Sequence, residues 1–230
     1  MSNHALPNWL EGSRNERLGE LYTQLASAPP ESEWDKAERY LRSFPCTWEQ
    51  TVFLGSFLAS VKGQQAGDCR PLLVRSQRRA GKTTSIGMFV AGYLLATKDA
   101  TVTVYSPSAH RSEELAKYVE DQLEWLAVLH GVECRQDKQG IKLQVWVDGN
   151  KRVAWLVPAQ LSRGTGSGVI LMDEFPNFPI GFVGAVLLPL LGMREKVVVG
   201  CGSGEWADSA MSVIADLFDV ADVPLGEANL

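Results

Sequence analysis

The stretch "RSQRRAGKTTS", residues 75–85, decides how this chain is read. Gly81-Lys82-Thr83 closes a phosphate-binding loop of pattern G-x-x-x-x-G-K-[ST]. Ser76, however, stands where the first glycine belongs, and Arg78-Arg79 sit where such a loop passes the phosphates. The apolar "PLLVRS" (71–76) before it reads as a short buried strand, and residues 82–97 after it as a helix rich in Ala, Gly and Leu. A strand entering a glycine-bearing turn and then a helix is the setting this loop requires. Its backbone N–H groups and the helix N-terminus then face an anion. The expectation is that Ser76, Gln77, Arg79, Ala80, Gly81, Lys82, Thr83 and Thr84 cradle ATP. Lys82 would reach the β- and γ-phosphates, and the Thr83 hydroxyl would hold Mg2+. Arg78 is the candidate for stabilising charge on the γ-phosphate, leaving one solvated arginine in the loop.

Downstream, "GVILMDEF" (168–175) is an apolar run ending in two acids. At the carboxyl end of a buried strand, Asp173 is placed to hold Mg2+ and Glu174 to polarise an attacking water. "GCGSG" (200–204) follows another apolar strand, and Gly202, Ser203 and Gly204 are candidates for a loop that senses the γ-phosphate. Upstream, Gln50 in "WEQ" (48–50) is a candidate reader of the adenine edge, with an aromatic nearby to stack.

Between these sites strands and helices alternate. "TVTVYS" (101–106) is β-branched, and residues 110–130 form an amphipathic helix with Leu115, Val119, Leu123 and Leu126 on its apolar stripe. Residues 141–158 read as two alternating strands around the turn Asp148-Gly149-Asn150. Helices are expected at 180–191 and about 207–219, and an amphipathic helix from 46 to 62 leading into a polar loop at 62–70. Continuously apolar strands separated by helices mean an α/β fold with a mainly parallel sheet covered on both faces. The domain reading is a helical N-terminal segment over 1–45, a nucleotide-binding domain over 46–222 and a tail over 223–230.

The chain has 230 residues, 45% of them hydrophobic and 21% charged, which suits a globular domain. No apolar run reaches membrane-spanning length and the N-terminus lacks signal-peptide blocks, so an intracellular protein without membrane contact is expected. Cys46, Cys69, Cys134 and Cys201 show no zinc spacing and read as reduced thiols. A net charge of −5 argues against a protein that coats DNA everywhere, but not against a local basic surface. Lys138, Lys142, Lys151 and Arg152 are candidates for one.

The ordered set "SQRRAGKTT", "SRGTGSGVILMDEFPNF" and "VVVGCGSGEW" resembles the ATPase domain of viral DNA-packaging terminase large subunits, of herpesvirus or tailed-phage type. That family has arginine-bearing phosphate loops without the first glycine, an Arg-Gly pair before the Walker B strand (Arg163-Gly164) and an Asp-Glu followed by a short segment ending in an aromatic. The resemblance covers about residues 45–205. It implies an ASCE-type P-loop NTPase with Glu174 catalytic and "GCGSG" coupling hydrolysis to motion. It implies a homo-oligomeric ring that threads double-stranded DNA into a procapsid, with a portal protein and a small terminase subunit as partners. It also implies an arginine offered across the ring, Arg163 or Arg111. The family's nuclease domain has no room before Leu230 and would be trimmed or a separate chain. The alternatives are a helicase-like or repair DNA-dependent ATPase, an ATP-binding assembly factor and a small-molecule kinase. A helicase-like enzyme usually needs a second motor domain with its own arginine finger, for which 230 residues leave no space. The intact set Lys82, Thr83, Asp173 and Glu174 counts against the assembly factor, since a decayed site often loses its glutamate first. The Asp173-Glu174 pair counts against a kinase, which the phosphate loop and size would fit but which has no water to activate.

Overall fold

The computed structural model describes residues 31–159, 168–193, 196–203 and 215–223. The chain divides into Met1–Ser32 and Glu33–Leu230, and the elements below belong to the second unit. The division falls at residue 32 rather than 45 because helix α1 (Glu33–Arg42) packs into the main core. Its Ala37, Tyr40 and Leu41 are buried, and Trp34 meets Tyr93 with ring centroids 6.2 Å apart. Acids in the first turn of α1 and arginines in the last suit the helix dipole.

Helix α2 (Trp48–Ala66) opens with a capping box between Thr47 and Gln50 and closes on Gly67, whose φ of 79° only glycine adopts cheaply. It is longer than its sequence suggests and takes in most of the expected loop. The reason is Gln64, whose amide imitates a strand. Its Nε2 donates to the Val198 carbonyl (3.0 Å), and the Val198 N–H donates back to its Oε1 (2.9 Å). Strand β1 (Leu72–Ser76) then leads through the phosphate loop into α3 (Lys82–Ala96), which is buried along almost its whole length. Strand β2 (Thr101–Ser106) is followed by α4 (Ala109–His130), capped by the Ser108 side chain and ended by Gly131 in the left-handed region. All four residues of its predicted stripe are fully buried. Each such side chain contributes about 1.5–3 kcal/mol.

Strands β3 (Cys134–Gln139), β4 (Lys142–Val147), β5 (Asn150–Pro158), β6 (Val169–Met172), β7 (Val197–Ser203) and β8 (Asp219–Asp222) complete an eight-stranded sheet. Its order is β3-β4-β5-β2-β6-β7-β1-β8. From β5 to β8 every pairing is parallel, while β3 and β4 add an antiparallel extension. The β4–β5 turn has Asp148 at φ 50° and Gly149 at φ 77°, the two left-handed residues that a tight hairpin of matching twist needs. Strand β7 intervenes between β1 and β6, as the ASCE-type expectation requires.

Two strands depart from the sequence reading. The polar β3, "CRQDKQ", has no apolar alternation and forms because β4 offers it an open edge. Strand β8 replaces the end of the helix expected at 207–219, whose residues 207–214 lie outside the described segments. It is preceded by a 3-10 turn, Ala215–Leu217. It is fixed to β1 by Arg75, which donates to both Asp222 carboxylate oxygens at 2.5 and 2.7 Å across the paired position Arg75–Asp222.

Helices α1 to α4 cover one face of the sheet in the larger core. The other face is covered by Phe175, Phe178 and the helical segments Ile180–Phe182, Val183–Leu187 and Leu188–Leu191, the middle one a π-turn. Among the described residues no helix is long and apolar enough to cross a membrane.

Candidate functional site

The adjacent strands β6, β7 and β1 run parallel, so their carboxyl ends deliver the acid pair, Ser203 and the phosphate loop to one edge of the sheet. A cavity of about 640 Å³ opens there, lined by Arg78, Arg79, Pro107, Ser108, Arg111, Asp173, Glu174, Asn177 and Ser203.

Ser76 ends β1 and is buried. Lys82, the first residue of α3, is 4% exposed, and its ammonium lies 3.0 Å from the Gln77 carbonyl and 3.2 Å from Glu174 Oε1. Thr83 donates its hydroxyl to the Asp173 carboxylate, with both oxygens in reach at 2.9 and 3.1 Å. Thr84 is half-buried in the same turn, and Ala80 packs partly against the core.

Gly81 caps α3 at φ 77°, and a Cβ there would lie 2.7 Å from Gln50 Nε2. Gly81→Ala therefore combines a left-handed backbone penalty of about 1 kcal/mol with a displaced Gln50. Thermal melting is expected to show that loss together with weaker nucleotide binding, and unchanged binding would mean the loop's shape does not matter. Gln50, the candidate reader of the adenine edge, sits against this loop, and its Oε1 accepts the Thr47 N–H (3.0 Å) in the cap of α2. With Thr47, Glu49 and residues 76–81 it lines a smaller hollow of about 230 Å³ on the other side of the loop. Trp48, beside it, is 51% exposed.

Asp173 is 1% exposed. Burial pushes its carboxyl up to about 6, against the Thr83 hydrogen bond and the Arg111 and Lys82 charges, which pull it down. The neighbouring Cys201 thiol, 3.9 Å from Asp173 Oδ1, is held well above its usual range by burial and by that carboxylate. The raised Asp173 value has a sign. Between the unfolded value of 3.8 and about 6 the folded state binds the extra proton, so stability falls as pH rises through that window. Above it, the nucleotide-free fold carries a cost of about 3 kcal/mol. Asp173→Asn is expected to melt higher than wild type at pH 7–8, with the gap closing toward pH 4. A pH-independent gap would contradict the shift.

Glu174 follows in the left-handed region (φ 50°, ψ 46°), a conformation that costs a residue with a Cβ about 1 kcal/mol. Its carboxylate is held on both sides. Lys82 approaches Oε1, the Ser203 N–H donates to Oε2 at 3.2 Å, and the Ser203 hydroxyl lies 3.0 Å from Oε2. Gly202 is required by packing, since a Cβ there would overlap the Pro176 ring of the segment after the acids. Thus Ser203, expected as a sensor, touches Glu174 directly.

Both Arg78 and Arg79 line the cavity and both are exposed; Arg79 adopts φ 68°. Arg111 lines the cavity of its own chain and lowers the Asp173 carboxyl. Its guanidinium also pairs with Glu114 at 3.1 Å, and its side chain is exposed. Arg163 and Gly204 lie outside the described residues. Pro107, Ser108 and Asn177 escaped the sequence reading, although "SPS" directly after a core strand marks the same sheet edge.

The donor set fits Mg2+, a cation that takes oxygen ligands and keeps several waters: one hydroxyl, Thr83, beside one carboxylate, Asp173. Among the described residues no three His, Cys, Asp or Glu side chains converge on a metal position, and Mg2+ between a protein and phosphates needs none. The expected basic group divides. Lys138 pairs with Glu120 at 3.3 Å, and Arg152 is 4% exposed and turned into the core, because β5 alternates faces. Lys142 and Lys151 stay on the opposite face.

The model of the family described as RNA cytidine acetyltransferase NAT10/TcmA, helicase domain, matches residues 73–195, more than half of the chain. The chain belongs to that family. The matched residues run from β1 through both acids, so this NAT10/TcmA helicase-domain member carries its cleft residues, Ser203 excepted, within the family region. A curated relative, tRNA(Met) cytidine acetyltransferase TmcA of Saccharolobus islandicus (strain Y.G.57.14 / Yellowstone #1), is 29% identical over 118 residues. Those residues are 51% of this chain but only 15% of the relative.

Solved structures with the same fold include the large terminase of bacteriophage HK97, with TM-score 0.59, 15% identity and coverage of 80% of this chain and 41% of that one. The large terminase of a thermophilic bacteriophage, in complex with ADP, gives 0.53 and 13%, over 78% and 45%. The Thermus phage P74-26 large terminase ATPase domain gives 0.50 and 16%, over 65% and 69%. At these identities they show the fold alone, a P-loop NTPase type with a mostly parallel sheet. The sequence family therefore corrects the terminase resemblance. Viral packaging has no support from it, and the helicase-like alternative fits better.

Proposed function

We propose that this chain is a helicase-type ATPase module whose hydrolysis of ATP is stimulated by nucleic acid. The observation that carries the reading is the meeting of Lys82, Glu174 and Ser203 beside the Thr83–Asp173 pair at one sheet edge. The loop N–H groups and Lys82 hold the phosphates, and Arg78, Arg79 and Arg111 add positive charge where the transferred phosphoryl group develops its charge. Thr83 and Asp173 would hold Mg2+, which neutralises phosphate charge when bound. Glu174 orients the attacking water and accepts its proton, and Ser203 fixes the carboxylate that does so.

The curated relative is named for tRNA(Met), and the match spans 15% of it, so the reading is confined to the ATPase step and to RNA as its stimulating partner. A second reading, a ring motor packaging double-stranded DNA, draws on the motif order "SQRRAGKTT" to "DEFPNF". ATP turnover measured with single-stranded RNA, single-stranded DNA and duplex DNA separates the two. The helicase-type reading expects single strands, RNA above all, to raise turnover most. Stimulation by duplex alone, rising with protein concentration, would favour the ring motor.

A further inference from the structure

The extension β3–β4–β5 has two faces. Leu143, Val145, Val147, Ala154 and Leu156 are buried on one, in the larger core. On the other, Arg135, Lys142, Trp146, Lys151 and Trp155 stand together, Trp146 half-buried and Trp155 packed in part against the smaller core. Register sets Arg135 opposite Trp146, Trp146 opposite Lys151 and Lys142 opposite Trp155. The Arg135 guanidinium lies 5.2 Å from the Trp146 ring centre and the Lys151 ammonium 5.7 Å from the same ring, while Lys142 lies 5.0 Å from the Trp155 ring. Among the described residues none of these cations makes an ion pair, whereas Lys138, on the opposite face, does. In a chain of net charge −5, three unpaired cations on one patch are a local exception. The acid on this face, Asp137, accepts from Gln139 Nε2 at 2.9 Å.

We propose that this face binds single-stranded nucleic acid. Indoles set among cations match a polymer that alternates flat bases with phosphates. Each cation is already ordered against a ring, so less side-chain entropy is lost on binding. A base that displaces a cation from its indole frees that cation for the next phosphate, so stacking and charge neutralisation are gained together. A duplex hides its base faces, and an acidic peptide would use the cations and leave the indoles idle. Trp155 pairs with Thr103 of β2, the strand that leads to Pro107 and Ser108 at the rim of the cleft. A strand held here passes toward the nucleotide edge. Binding needs no ATP, so the surface stands apart from the reading of the cleft.

The test is fluorescence anisotropy of labelled oligo(U) and oligo(dT), without nucleotide, on the full chain, with thermal melting alongside. Lys142→Gln/Lys151→Gln is expected to weaken binding about tenfold and flatten its salt dependence. Trp146→Leu is expected to weaken it about fivefold or more, and to remove the preference of wild type over an abasic oligonucleotide. Lys138→Gln, on the opposite face, is expected to bind like wild type. Wild-type affinity in the double Lys variant overturns the proposal. So does equal binding of duplex DNA or phosphatidylserine vesicles with no effect of Trp146→Leu, which marks a general anion surface. Absent ATP turnover with intact, variant-sensitive RNA binding would sink the function reading alone. RNA-stimulated turnover with binding indifferent to these substitutions would sink this surface alone.

Discussion

Glu174→Gln is expected to lower ATP turnover by about two to four orders of magnitude while nucleotide binding survives. The amide keeps the side chain's size and still accepts from Ser203, so the loop between β6 and the Phe175–Asn177 turn stays in place. What it loses is the base that takes a proton from water. It also loses the charge partner of Lys82, 3.2 Å away. Lys82 is then free to favour phosphate oxygens, so ATP affinity should hold or rise. Phosphate release in the steady state and binding of a fluorescent ATP analogue report the two effects separately. Equal losses in both would mean Glu174 supports the cleft's shape and not the chemistry.

Lys82→Met is expected to act the other way, costing about tenfold to a hundredfold in ATP affinity with the fold retained. The ammonium is 4% exposed and held by Glu174 and the Gln77 carbonyl, so a methionine of similar length removes a desolvated charge and leaves no large cavity. The melting temperature should therefore change little, while Glu174, being partly exposed, keeps solvent and Ser203 as partners. Titration with the same analogue checks the affinity. A folded Lys82→Met protein that binds ATP like wild type would remove the phosphates from this loop.

The parts of the fold read correctly from sequence were those whose signal is local. Apolar runs such as "VILM" and "VVVG" had no other place than a buried parallel sheet, and Leu115, Val119, Leu123 and Leu126 announced α4 by spacing. Lys82, Thr83, Asp173 and Glu174 were legible because phosphate chemistry needs those groups at strand ends, and the structure brings them together. What the sequence hid depends on partners far along the chain. Strand β8 exists through its backbone pairing with β1, and the end of α2 through Gln64 reaching Val198. The direct contact of Ser203 with Glu174 and the shared placement of Arg78, Arg79 and Arg111 are likewise products of topology. The faces of β5 turned on parity: one residue's difference sends Arg152 inward and Lys151 outward. The family was obscured for another reason. Terminases and helicases share the phosphate loop and acid pair, so motif order alone favoured the terminase branch over the helicase-domain family that the sequence match shows.

The most direct test is phosphate release from ATP and Mg2+ under single-turnover conditions, by wild type and Glu174→Gln, with single-stranded RNA added in steps. The account predicts measurable hydrolysis by wild type that rises with RNA, and none above background in the variant. Hydrolysis absent from wild type at every RNA concentration, or equal in the two proteins, would contradict it.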